Sequence, residues 1–124
     1  MIIRPAEPRE LVAVGDLTLA AYVADGYLSP DDPYAGELRA ADDRAAQADL
    51  VVAVGHAGDL LGTVTFCLPG TEWSEVSRPG EAEFRMLAVA PDARGRGVGG
   101  ALAQWCVDRA REQGCTAVAL SSLP

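Results

Sequence analysis

Lysine is absent from the 124-residue sequence, and basic side chains of any kind are few. The ten basic residues are all arginines, and they stand against 18 Asp and Glu, which gives a net charge of −8. We interpret the exclusive use of Arg as a genome bias, because many strand, helix and loop positions accept Lys. Proteins that bind nucleic acid usually present a basic surface. The charge therefore argues against a nucleic-acid partner.

Cysteine, histidine and long apolar runs are also scarce. Three Cys and one His fit neither a CxxC pair nor a zinc-binding spacing, so the sequence predicts free thiols in a reducing compartment and no metal. No apolar run approaches the roughly 18 residues that cross a bilayer, and the first residues do not resemble a signal peptide. We expect a cytoplasmic, bacterial protein with no membrane partner, and a single domain over residues 1–124.

The hydrophobic pattern alternates between strand-like and helix-like segments. Glycines at 55 and 58 predict a hairpin turn between two apolar runs, and hence antiparallel strands in the middle of the chain. The order βααβββαβ predicts an α/β fold with a mixed sheet that ends in a right-handed β-α-β crossover. The predicted strands are residues 2–4, 50–54, 58–69, 81–90 and 116–122, and the predicted helices lie within 9–26, within 29–49 and at 98–113.

Charge is distributed unevenly along the chain. Residues 1–83 contain 15 Asp and Glu against 5 Arg, whereas residues 84–124 contain 3 against 5. The cationic part includes the glycine-rich sequence RGRGVGG at residues 94–100. This distribution favours an anionic ligand at that loop.

Two phosphate motifs compete for this loop. Residues 95–100 match GxGxxG, but a dinucleotide-binding fingerprint belongs in the first βα turn, with an acidic residue about 20 positions further on, and residues 115–124 contain none. A P-loop requires a Lys, which the chain lacks. The pattern Arg94-x-x-Gly97-x-Gly99 at the start of a helix fits better, because glycines let several backbone amides and the helix dipole converge on a pyrophosphate. A dinucleotide-binding domain is kept as an alternative.

The sequence RMLAVAPDARGRGVGGALAQWC at residues 85–106 resembles motif A of the GCN5-related N-acetyltransferases (GNAT). The resemblance implies an acyl-CoA N-acyltransferase-like fold, acetyl-CoA as cosubstrate, and a small-molecule or peptide amine as acceptor. It also implies that loop amides hold the pyrophosphate, that strand main-chain groups contact the pantetheine and thioester, and that two arginines add positive charge. The residues in these roles are, for the strand, Leu87, Ala88 and Val89, and, for the loop, Arg94, Gly95, Arg96, Gly97, Val98, Gly99 and Gly100.

Glu83 is the candidate general base. Members of this family often have a Glu near this point of the strand that acts through water, and strand alternation predicts that Glu83 shares a face with Arg85, Leu87 and Val89. Glu81 lies two residues earlier on the same predicted face. The alternatives for Glu83 are a half-exposed strand carboxylate or a partner for Arg85.

The sequence departs from the family at its end. Family members commonly use a Tyr beyond the last strand as general acid, but no Tyr follows Tyr34. We therefore expect a C-terminally truncated version of the fold, and an open sheet edge that favours a homodimer. A non-catalytic acetyl-CoA-binding module is the alternative function.

The remaining aromatic and acidic residues give weaker indications. Tyr22, Tyr27 and Tyr34 lie where the family binds its acceptor, Trp73 is a candidate anchor over the acceptor, and His56 is expected to be a turn residue. The acidic run DDPYAGELRAADD at residues 31–43 is ordinarily a solvated helix face. If it borders the acceptor, it favours a cationic amine.

Overall fold

Five strands form one mixed sheet in the computed structural model, which describes residues 1–26, 29, 31–33, 35–36, 40–41, 45, 48–67, 81–115 and 117–121. The strands are β1 (Ile2–Pro5), β2 (Asp49–Val54), β3 (Leu60–Cys67), β4 (Glu81–Val89) and β5 (Ala117–Ser121). The helices whose bounds the structure describes are α1 (Leu11–Ala24) and α2 (Val98–Glu112), and 3-10 turns precede them at Pro8–Glu10 and Pro91–Ala93.

The strands lie in the order β1-β2-β3-β4-β5, and only the last pair is parallel. The predicted α/β fold with antiparallel strands in the middle and a β-α-β crossover at the end is therefore confirmed, and so is the hairpin at residues 55–59. Within the segment of the second predicted helix, residues 29–49, the structure describes helical conformation at 35–36, 41 and 45, while residues 30, 34, 37–39, 42–44 and 46–47 lie outside the described residues. No helix among the described residues is long and apolar enough to cross a membrane.

The two helices cover opposite faces of the sheet. In β2, Val51 and Ala53 belong to the cluster packed against α2, while Leu50, Val52 and Val54 pack with Val14 of α1. This double coverage explains why β2 is a continuous apolar run, since a strand buried on both faces needs no alternation.

The amphipathic pattern of α2 predicts its buried face well. Val98, Leu102, Cys106 and Ala110 are buried at helical spacing. Trp105 is only partly buried, and its ring meets that of Phe66 edge to face with centroids 6.0 Å apart. The helix ends before Gly114, whose φ of +77° is a left-handed conformation that glycine adopts at little cost.

Gly62 of β3 sets how closely α2 approaches the sheet. A Cβ atom at this position would lie 2.9 Å from the carbonyl oxygen of Ala88 and 2.9 Å from Cγ1 of Val98. The first turn of α2 can therefore press directly on β3 and β4 only because residue 62 has no side chain. This contact fixes the start of α2 relative to the end of β4.

The start of α1 is held by an ion pair on the adjacent 3-10 turn. The Arg4 guanidinium donates to both carboxylate oxygens of Glu10, at 2.8 and 2.9 Å, and the Glu7 amide donates to the same carboxylate. These hydrogen bonds, that from Arg4 first, lower the pKa of Glu10 to about 2. The pair ties β1 to the turn that leads into α1.

Candidate functional site

The glycine loop joins the end of β4 to the start of α2. After the turn at Pro91–Ala93, Gly95 and Gly97 adopt left-handed conformations with φ of +81° and +77°. Residues that carry a side chain rarely adopt these backbone angles, so both positions favour glycine. Gly97 is the N-cap of α2, and no described side chain caps the helix there. The first amides of α2 are thus available to an anion.

A cleft of about 280 Å³ lies between this loop, the end of β4 and the last turn of α1. It brings together all of the predicted donor-binding residues except Arg96 and Gly100, and it adds four residues that the prediction did not include. The described lining residues are Ala21, Tyr22 and Asp25 from α1, Leu87, Ala88 and Val89 from β4, and Ala93, Arg94, Gly95, Gly97, Val98 and Gly99 from the loop and α2.

Arg96 and Gly100 lie outside the cleft lining. The exposed Arg96 side chain donates to the Asp92 carbonyl oxygen at 3.4 Å, and it lines a different surface depression together with His56 and Asp59 of the β2–β3 hairpin. Gly100 lies in the first turn of α2, where a Cβ atom would meet nothing within 4 Å. His56 occupies the hairpin turn, where the sequence predicts it.

The last part of β4 continues past the pairs with β5 that the structure describes. Those pairs join residues 81–85 to residues 117–121, and β4 continues to Val89. Directly after the last described pair, Met86 adopts a φ of +54° and the register with β3 shifts by one residue. This is a β-bulge, a feature that often occurs beside functional sites.

The bulge reverses which face of the sheet each side chain reaches. Before it, Ala82 and Phe84 pack against α2. After it, Leu87 and Val89 pack against α2, and Met86 packs with α1. Simple alternation would have placed Leu87 and Val89 on the opposite face.

The prediction that Glu83 and Arg85 share a face with Leu87 and Val89 is therefore wrong. Glu83 and Arg85 alternate with residues that contact α2, so they lie on the α1 face, whereas Leu87 and Val89 lie on the α2 face. The physical reason is the extra residue at Met86, which changes the phase of the strand. The donor cleft still includes Leu87 and Val89, because it opens at the end of β4.

Glu83 is completely buried, with 0% of its surface exposed, and Arg85 is 5% exposed. Glu83 lies opposite Cys67 of β3, and Arg85 lies opposite Thr65. The Thr65 hydroxyl is buried and has no hydrogen-bond partner among the described residues. Glu81 is only partly buried. The α1 face of the sheet thus contains buried polar side chains on β3 and β4, which are not among the described lining residues of the cleft.

Two opposite charges face each other across the cleft. The Arg94 guanidinium on the glycine loop forms an ion pair with the Asp25 carboxylate at the C-terminus of α1. A second guanidinium nitrogen of Arg94 is 3.5 Å from the carbonyl oxygen of Val89. Sequence analysis did not identify Asp25, because 69 positions separate it from Arg94 and no local motif marks it.

Most of the predicted aromatic residues cannot be placed. Tyr22 is buried and lines the cleft. Tyr27, Tyr34 and Trp73 lie outside the described residues, and so do residues 37–39, 42 and 43 of the acidic run at 31–43. Within the part of the chain that the structure describes, no group of three or more His, Cys, Asp or Glu is arranged to hold a metal ion.

Comparison with known proteins identifies the family. A family model described as "Acetyltransferase (GNAT) family" matches residues 14–123. The chain belongs to the GNAT acetyltransferase family. The resemblance seen at residues 85–106 is thereby confirmed, and so is the acyl-CoA N-acyltransferase-like fold. A search of curated proteins gave no significant match.

Solved GNAT structures resemble the chain along almost its whole length. A GNAT family acetyltransferase from Brucella melitensis, in complex with acetyl-CoA, is 26% identical, with a TM-score of 0.71, over 98% of this chain and 76% of that one. A Trypanosoma brucei acetyltransferase is 25% identical, with a TM-score of 0.63, over 98% of this chain and 82% of that one. A Mycobacterium tuberculosis protein, Rv2747, solved with CoA, is 19% identical, with a TM-score of 0.65, over 95% of this chain and 62% of that one, and shows the shared fold alone.

Proposed function

We propose that this GNAT protein transfers the acetyl group of acetyl-CoA to a primary amine by direct attack. The observation that carries the proposal is the cleft in which the left-handed glycine loop, the start of α2 and the end of β4 meet. The loop and the start of α2 suit the pyrophosphate of the donor, and the end of β4 suits its pantetheine. The Brucella melitensis relative, solved with acetyl-CoA, supports the same donor.

The loop would bind the pyrophosphate of the donor. Amides of residues 95–100 and the positive end of the α2 dipole offer donors and partial charge, and Arg94 adds a full charge at the same cleft. Arg96 lies outside the cleft lining and would contribute long-range attraction only. The pantetheine would lie along the main chain of residues 87–89, beyond the described pairing of β4 with β5.

Acetyl transfer requires a polarised carbonyl and a deprotonated amine. A main-chain N–H near Val89 would polarise the thioester carbonyl, while Glu83 would accept a proton from the amine through water. Glu83 lies four residues before Leu87, roughly 13 Å along an extended strand. One bridging water spans only about 6 Å between the carboxylate and an amine nitrogen, so the proton would pass along a chain of several waters. The amine nitrogen bonds to the carbonyl carbon as the C–S bond breaks, and the proton lost by nitrogen balances the one gained by the CoA thiolate.

The acceptor class is the less constrained part of the proposal. The acidic run at residues 31–43 belongs to the segment that would border the acceptor, so we expect cationic amines to be preferred over neutral or anionic ones. This expectation is tested with a panel of amines, and acetylation of each amine is measured as the release of the CoA thiol from acetyl-CoA. Preference for anionic acceptors would remove it.

The donor site is tested by a matched pair of valine variants. Gly97 and Gly114 lie at opposite ends of α2 and have the same φ of +77°, and a Cβ atom added at either position would meet nothing within 4 Å. Gly97→Val and Gly114→Val should therefore cost similar conformational free energy, but only Gly97→Val should abolish CoA binding measured by calorimetry. If Gly97→Val binds CoA with the wild-type affinity, the proposed donor site is wrong.

Non-catalytic binding of acetyl-CoA is the second candidate function. The complete burial of Glu83 favours it, because a base must reach water or substrate. Thiol release from acetyl-CoA in the presence of amines separates the two functions. Turnover that falls by at least tenfold in Glu83→Gln, with CoA affinity kept, supports the enzyme, whereas binding without turnover supports the second candidate.

A further inference from the structure

Asp25 is an acidic residue at a place where acidic residues are doubly unfavourable. It is the C-cap of α1, where the partial negative charge of the helix dipole disfavours a carboxylate. It also lines the cleft at which the proposed donor would place a negatively charged pyrophosphate. A structural role in α1 does not require this charge, because the cap is made by the backbone N–H of Asp25.

The favourable interaction that the structure shows for this carboxylate is its ion pair with Arg94. The pair joins the end of α1 to the glycine loop across the cleft, and its side chains are 32% and 41% exposed. Asp25 and Arg94 are the charged residues in the described lining of the cleft. Their charges cancel, so the positive side chain in the described lining is already paired with a carboxylate of α1.

We propose that Asp25 lowers the affinity for the donor by competing with the pyrophosphate for Arg94. This inference rests on the proposed donor, acetyl-CoA. When the pyrophosphate occupies the loop, Arg94 exchanges the Asp25 carboxylate for a phosphate oxygen. The exchange offsets most of what Arg94 contributes to binding. Asp25 is thus an affinity-determining residue for phosphate-bearing donors.

A thermodynamic cycle measures the competition directly. The four proteins are wild type, Asp25→Asn, Arg94→Gln and the double variant, each titrated with CoA by calorimetry at one fixed low salt concentration. Asp25→Asn should bind CoA roughly 3- to 10-fold more tightly, in line with one partly exposed ion pair and its removed repulsion. Arg94→Gln should weaken binding more in the Asp25→Asn background than in wild type.

Donor fragments locate the effect at the pyrophosphate. Dephospho-CoA keeps the pyrophosphate and should show the same gain in Asp25→Asn as CoA does. Pantetheine carries no phosphate and should bind both proteins equally. Asp16→Asn is the matched control, because Asp16 is an exposed residue of the same helix outside the cleft lining, and it should leave CoA affinity unchanged.

Each other outcome overturns the proposal in a recognisable way. Weaker CoA binding in Asp25→Asn would make Asp25 a residue that positions Arg94, and equal binding would make the pair irrelevant to the donor. A gain seen equally with pantetheine would place the effect away from the phosphates. Thermal unfolding of every variant shows whether folding is kept. If wild type binds no CoA, the proposed function itself falls.

Discussion

Replacing Gly62 by Ala should push the first turn of α2 slightly away from the sheet, and it should lower both the stability of the fold and the affinity of the cleft for CoA. The added Cβ would lie 2.9 Å from the Ala88 carbonyl oxygen, which belongs to the backbone and cannot rotate away. It would also lie 2.9 Å from Val98 Cγ1 and 3.1 Å from Leu102 Cδ1. Ordinary contacts begin near 3.4 Å, so β4 and the first turn of α2 must each move by about 0.5 Å.

The expected cost follows from two opposing effects. Overpacking by one methyl group in a closely packed core costs about 1–3 kcal/mol. Replacing Gly by Ala restricts the unfolded chain and returns about 0.4–1 kcal/mol. The net destabilisation is about 1–2 kcal/mol, which lowers the Tm of a domain of this length by roughly 4–8 °C. Because Ala88 and Val98 both line the donor cleft, CoA affinity should fall as well.

Thermal unfolding and CoA titration of Gly62→Ala test this reasoning, with Gly100→Ala as the control for stability. Gly100 is helical, and a Cβ atom there would meet nothing within 4 Å, so Ala should stabilise α2 by about 0.5–1 kcal/mol. The two Gly→Ala variants should thus shift Tm in opposite directions. A Gly62→Ala protein that unfolds at or above the wild-type Tm would refute the close-contact argument.

Three further predictions concern polar groups elsewhere in the chain. Thr65→Val should stabilise the fold by about 1 kcal/mol in urea unfolding, because it removes a buried hydroxyl that has no described partner; a loss of stability would show that the hydroxyl is hydrogen-bonded. The pKa of Glu10 is lowered to about 2 by its hydrogen bonds with Arg4 and the backbone, so its stabilisation is complete above about pH 4.5 and is lost as pH falls toward 2. Glu10→Gln should therefore be less stable than wild type by about 1–2 kcal/mol at pH 7, with the gap closing in acid; a gap that is independent of pH would contradict this. Burial raises the pKa of Cys106 to about 12, so a thiol reagent at pH 8 should modify the partly exposed Cys115 far faster, and comparable rates would show that α2 opens readily.

Local patterns predicted the parts of the structure that depend on neighbours in sequence. The buried stripe of α2, the hairpin at 55–59 and the join between β4 and the glycine loop follow from helical spacing and glycine placement. The family followed from residues 85–106 because the chemistry of that loop depends on a short, contiguous stretch. These are interactions within about 20 residues.

The features that sequence reasoning missed arise from contacts between distant elements or from backbone strain. Met86 has a left-handed φ although it is not Gly, Asn or Asp, so its residue type does not predict the bulge. From the sequence, Asp25 is an ordinary residue at the end of a helix, and only the structure shows that it pairs with Arg94 of the loop. Gly62 looks like a weak point in a strand, although its role is to admit Val98 and the Ala88 carbonyl.

The bulge at Met86 is one residue more than the pairing of β3 with β4 requires. Arg85 and Met86 both lie on the α1 face, and Leu87 follows on the α2 face. Deleting Met86 would therefore give a regularly alternating strand on which Leu87 and Val89 still face α2 and Glu83 and Arg85 still face α1. What Met86 supplies is the local bend of the backbone beside Leu87, and a variant without it would keep the buried faces of β4 and lose that bend.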